Sequence, residues 1–157
     1  MLLDAEDALV RWSRSADAPR LANPGALATA GKRAPSEDQL AAIEAVATSG
    51  RRLDLMVGPA GAGKTTALSA LVEAWQAEHG AGSVTALAPS SAAAEVLGQS
   101  LGAPADNTAM WLTLRRAAAG TAWRTSSASS CVLLTGSPSC RRFTTAAAIR
   151  EANRSSP

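Results

Sequence analysis

Gly58-Pro59-Ala60-Gly61-Ala62-Gly63-Lys64-Thr65-Thr66 satisfies the pattern G-x-x-x-x-G-K-[ST] at every fixed position. No other stretch restricts the fold as much, because the pattern works in one local context: a buried strand before it and a helix after it. Both are legible. Leu53-Asp54-Leu55-Met56-Val57 is a short, mostly apolar run, as a core strand of a parallel sheet is. Leu68, Leu71, Val72 and Trp75 then recur at helical spacing until Gly80 interrupts the pattern.

The residue types explain the spacing. Gly58, Gly61 and Gly63 are expected to take positive φ and to let backbone N–H groups approach phosphate oxygens, where a Cβ would clash. Lys64 places an ammonium on the β- and γ-phosphates, and the Thr65 hydroxyl is placed to ligate the Mg²⁺ that bridges them. A helix beginning at about Gly63 adds the positive end of its dipole. The segment Gly58, Pro59, Ala60, Gly61, Ala62, Gly63, Lys64, Thr65 and Thr66 is therefore the predicted cradle for a nucleotide and Mg²⁺. Lys64 and Thr65 are its catalytic pair, and Thr65 is the metal ligand.

With 157 residues, 46% of them apolar, the chain can build one core. No run approaches the ~18 apolar residues of a membrane span, and the acidic start Asp4-Ala5-Glu6-Asp7 lacks a basic leader, so a cytoplasmic protein without membrane contact is expected. His79 is the single histidine and there is no tyrosine; Cys131 and Cys140 are too few for a metal site, and a disulfide is not expected in a reducing compartment. Charge is uneven. Residues 1–114 carry eight Lys/Arg against twelve Asp/Glu, a net of −4, while residues 115–157 carry seven Arg against Glu151, a net of +6. The basic tail is rich in Ser, Thr and Ala, a composition that fits nucleic-acid attachment or disorder.

In chain order, Leu3, Ala8, Leu9 and Trp12 predict a short amphipathic helix, and Ser13 to Ala34 reads as a Pro/Gly/Ala-rich linker. The domain is expected to start near Pro35, with Ser36 as a helix N-cap and Leu40, Ile43 and Val46 or Ala47 facing a core before Gly50. Gln39 has two readings: the third residue of a Ser-x-x-Gln capping box, or an amide that reads the adenine edge. Ser83 to Pro89 reads as the next parallel strand, Ser90 or Ser91 as a helix cap, and Gly102 as that helix's end. Asp106-Asn107-Thr108 is another capping segment. It introduces a short helix with Trp111 either buried or in contact with a nucleotide strand.

Four segments together resemble, in order and spacing, the first motor domain of RecD-like superfamily 1 DNA helicases, in particular the helicase part of MobF-type conjugative relaxase-helicases. They are Pro35 to Gln39, Val57 to Thr66, Leu87 to Ala94 and Asp106 to Leu112. The resemblance covers about residues 35–112. It implies an α/β P-loop NTPase fold of RecA-like type, a parallel sheet with flanking helices, here incomplete. It implies ATP and Mg²⁺ as cofactors, Gln39 as the adenine reader, and single-stranded DNA as a partner of Pro89, Ser90, Ser91, Asn107 and Thr108. The chain divides accordingly into an N-terminal helix and linker (1–34), a partial motor domain (35–112) and a basic tail (113–157). Oligomeric state is left open.

A motor of this type also needs an apolar strand ending in Asp-Glu, for Mg²⁺ and for the attacking water. Cys131-Val132-Leu133-Leu134 is followed instead by Thr135-Gly136. Slow hydrolysis is expected, from a truncated ATP-binding fragment. The composition break near Thr113 reads as a genuine basic tail or as the product of a shifted reading frame. The alternatives for the whole chain are a small phosphate-loop kinase and an inert nucleotide- or DNA-binding fragment.

Overall fold

Helix capping and glycine placement delimit most elements of this computed structural model, which describes residues 2–31, 33–118, 129–135 and 143–152. Helix α1 spans Leu2–Arg14 and a 3₁₀ turn spans Pro24–Ala28. Then come α2 (Glu37–Thr48), β1 (Leu53–Pro59), α3 (Lys64–His79), β2 (Val84–Ala88) and α4 (Ser91–Leu101). They are followed by β3 (Ala105–Asn107), α5 (Thr108–Ala118), β4 (Ser129–Thr135) and β5 (Phe143–Ala152). Ser36 caps α2 through a complete capping box, and Gly102 ends α4 in the left-handed conformation at φ 66°.

The five strands form one sheet in the order β1-β5-β4-β2-β3. β2 is parallel to β3 and to β4, whereas β5 runs antiparallel to both of its neighbours, β1 and β4. Two reversals restore direction, so β1, β4, β2 and β3 all point the same way. Their C-terminal ends share one edge of the sheet. The P-loop α/β fold read from the sequence is present, with one antiparallel strand inside the parallel set.

The core lies between the sheet and α2, α3 and α4. Ile43 and Ala47 of α2, Leu68, Leu71, Val72 and Trp75 of α3, and Leu97 and Leu101 of α4 meet Val84, Ala86 and Ala88 from one face of β2. Each fully buried large aliphatic side chain contributes about 1.5–3 kcal/mol. On the opposite face of β1, Leu55 and Val57 stand 61% and 62% exposed.

The segment read as a linker is packed. Leu27 is completely buried and Leu21 nearly so, both within the same core as α2 and α3. Its backbone is fastened at several points: Ala18 N–H donates to Gly50 O at 2.9 Å and Leu21 N–H to Ala47 O at 3.0 Å. The Glu78 carboxylate accepts the Ala22 N–H at 2.9 Å, and Glu73 accepts that of Gly31 at 2.8 Å. Composition hid this, because the polar partners lie on another helix.

In the basic tail, two stretches of backbone are paired into the sheet. β4 is the apolar run around Cys131–Leu134, and β5 follows it. The expectations for 119–128, 136–142 and 153–157 fall outside the described residues. No helix among the described residues is long and apolar enough to cross a membrane.

Candidate functional site

At the C-terminal end of β1 the chain turns through Ala60-Gly61-Ala62, closed by the Ala62 N–H on Pro59 O at 3.3 Å, and enters α3. Gly61 has φ 80° and Gly63 φ 72°, left-handed values that cost a residue with a Cβ about 1–2 kcal/mol. Gly58 departs from expectation. It is a strand residue paired with Thr144, with no positive φ, and a Cβ there would meet only ordinary contacts beyond 3.8 Å. Two of the three glycines, not three, are demanded by backbone conformation.

Gly63 is the N-cap of α3 and supplies no side chain to the helix end. The first-turn N–H groups of Lys64, Thr65 and Thr66 thus have no intrahelical acceptor and no capping group, which is the electrostatic condition for an anion at the loop. The Lys64 Nζ is drawn over the loop, donating to Gly58 O at 2.8 Å and Pro59 O at 2.6 Å. Thr65 is exposed in the first turn of α3. A polyphosphate fits this donor set: one lysine ammonium over the loop, open N–H groups and no carboxylate in the loop.

Gln39 reaches the same loop from α2. Both of its readings have a structural counterpart, since the capping box forms through Ser36 N–H to Gln39 Oε1 at 3.1 Å and Gln39 N–H to Ser36 Oγ at 3.4 Å. Gln39 Nε2 in addition donates to the carbonyl of Ala62 at 3.0 Å. Nothing in sequence spacing signals a bond between residues so far apart in the chain.

The residues expected to meet a strand gather at the other end of the same edge. Pro89 and Ser90 leave β2; Ser90 is the N-cap of α4, its Oγ accepting the Ala93 N–H at 3.2 Å. Asn107 and Thr108 join β3 to α5, and the Asn107 Oδ1 accepts the Met110 N–H at 2.8 Å. Asn107 Nδ2 donates to Ser91 Oγ at 3.0 Å, binding the two helix starts together. Trp111 is half-buried rather than enclosed, and its neighbours Met110 and Leu112 are each 49% exposed. With strands spaced about 4.8 Å apart, β2 lies roughly 14 Å and β3 roughly 19 Å from β1.

Among the described residues no group of three His, Cys, Asp or Glu side chains is placed to hold a metal. The charge pair with a shifted titration lies elsewhere: Arg52 hydrogen-bonds Asp17 through Nε at 3.1 Å and holds its carboxyl below the usual carboxylate range.

A glycine-rich loop between a strand and a helix, with a lysine over its carbonyls and helix starts aligned along the same sheet edge, defines a P-loop nucleotide-binding α/β domain. The family follows from comparison. A family model described as an AAA domain matches residues 34–152, and the chain belongs to that family of helicase-like P-loop ATPases. The match runs through β4 and β5. No curated protein and no solved structure matches the chain.

Proposed function

We propose that the chain binds ATP with Mg²⁺ as a RecD-like superfamily 1 helicase motor domain of the MobF relaxase-helicase type, contacts single-stranded DNA weakly, and hydrolyses ATP slowly at best. The observation that carries the reading is the shared sheet edge. The phosphate loop with Lys64 and Gln39 lies at one end of it, and the starts of α4 and α5, with Pro89, Ser90, Ser91, Asn107 and Thr108, lie at the other. Lys64, Thr65 and the first-turn N–H groups of α3 would hold the phosphates, and the Thr65 hydroxyl would take a place on Mg²⁺. When bound, Mg²⁺ neutralises charge on the β- and γ-oxygens. At the other end, N–H groups and hydroxyls at helix starts suit phosphate contacts that read no sequence.

Slow turnover follows from the carboxylates. β4 ends at Thr135 and the sequence continues with Gly136, where an Asp-Glu pair would be needed. Asp106 does stand on β3 near the edge, but four strand spacings, roughly 19 Å, separate it from β1. That is too far to orient water at a γ-phosphate. An Arg-rich tail adds sequence-independent attachment that weakens with salt.

The test is equilibrium binding of a fluorescent ATP analogue with Mg²⁺, together with phosphate release with and without single-stranded DNA. Lys64→Ala is expected to weaken binding at least tenfold, the loss of one charge-assisted contact of about 1.5–3 kcal/mol. Equal binding by wild type and Lys64→Ala refutes the phosphate site. Rapid DNA-stimulated turnover refutes the argument from the missing acids.

A further inference from the structure

Gln39 is tied to the phosphate loop in a way that base recognition does not require. Its Nε2 donates to the Ala62 carbonyl at 3.0 Å while its Oε1 accepts the Ser36 N–H at 3.1 Å. One amide therefore joins the first turn of α2 to the peptide that links Ala62 to Gly63. A second observation agrees. A Cβ at Gly63 would come within 2.2 Å of that same Nε2, so the missing side chain at Gly63 leaves the space that the Gln39 amide fills.

We infer that Gln39 is a positioning residue for the phosphate loop, acting on the polyphosphate through the Ala62–Gly63 peptide and independently of the nucleotide base. In a trans peptide the C=O and the following N–H point in opposite directions. Pinning the Ala62 carbonyl toward Gln39 turns the Gly63 N–H the other way, and a phosphate loop grips through such N–H groups. Gly63 is the residue whose φ would let this peptide flip, because glycine takes either sign of φ at little cost. Gln39 removes that freedom before any ligand arrives. The amide retains a second Nε2 hydrogen and a second Oε1 lone pair, so holding the loop and reading an adenine edge are compatible. This inference rests on the nucleotide-binding reading above, and its experiment separates the two.

The experiment is calorimetric titration of the full chain with Mg²⁺ and either ATP or inorganic tripolyphosphate, which has phosphates and no base. Gln39→Met removes the amide and keeps the side-chain length. Ser36→Ala removes the hydroxyl cap but keeps the bond to Ala62, and so controls for the stability of α2. Gln39→Met is expected to weaken tripolyphosphate binding about fivefold, as loss of one ordinary hydrogen bond does, and ATP binding by at least as much. Ser36→Ala is expected to leave both within twofold. Amide hydrogen exchange at residues 61–64 should accelerate in Gln39→Met and not in Ser36→Ala.

Tripolyphosphate affinity unchanged in folded Gln39→Met overturns the inference even if ATP affinity falls, because Gln39 would then act on the base alone. If Gln39→Met does not fold, Gln39→Asn, one methylene too short for the Ala62 carbonyl, is held to the same two outcomes. A wild type that binds ATP but not tripolyphosphate overturns the inference alone. A wild type that binds neither overturns the nucleotide reading and this inference with it.

Discussion

Leu27 offers the sharpest test of where this domain begins. It sits in the 3₁₀ turn Pro24–Ala28, is fully buried, and belongs to the core formed with α2 and α3. Leu27→Ala removes three carbon atoms from that core. At about 0.8 kcal/mol per buried methylene the transfer loss is about 2.4 kcal/mol. The cavity left between two helices that cannot fully collapse raises the cost to about 3–4 kcal/mol. For a chain of this size that lowers the melting temperature by about 10 °C. Urea unfolding followed by circular dichroism measures the free energy, and a thermal scan measures the shift. If residues 13–34 were a solvated linker, the same substitution would cost under about 0.5 kcal/mol, as exposed changes do. A value that small refutes the packing of this segment and returns the domain start to Pro35.

The two left-handed glycines of the loop should separate in the same assays. Gly61→Ala meets open space and is expected to lose only the conformational cost of about 1–2 kcal/mol, whereas Gly63→Ala also displaces the Gln39 amide and should lose more stability and more ATP affinity; equal losses would refute the contact. The Arg52–Asp17 pair predicts a pH dependence. Its hydrogen bond lowers the folded pKa of Asp17, so its stabilisation is present above the unfolded carboxylate value of about 3.9 and is lost as pH falls through the folded value. Asp17→Asn should therefore melt below wild type at pH 7 and together with it near pH 2, and a gap that persists in acid would contradict this sign.

The loop itself was legible because its rules are local. Positive φ at Gly61 and Gly63, the capping box at Ser36 and the left-handed end of α4 at Gly102 all depend on residues a few positions apart. The same logic overreached at Gly58, which fits the motif but is an ordinary strand residue. Trp111 showed the limit of reading burial from residue type, since this aromatic in the first turns of α5 is only half-buried.

Contacts across the chain were not legible in this way. The carboxylates of Glu73 and Glu78 on α3 hold the backbone of Gly31 and Ala22, respectively 42 and 56 positions earlier in the chain. Asn107 reads as a cap, yet its second amide group ties α5 to Ser91. β5 is Ala-rich, with no alternation to mark it as a strand, and its place between β1 and β4 depends on pairing with partners far along the chain.

Residue order alone thus specified the phosphate loop, the helix boundaries around it and the P-loop α/β class, because backbone sterics and short-range hydrogen bonds act within one or two turns. The packed N-terminal segment, the antiparallel strand inside the sheet and the Gln39–Ala62 bond were decided by tertiary structure. Each joins groups whose partners become neighbours only after burial brings distant segments together, and no local pattern encodes which segments those are.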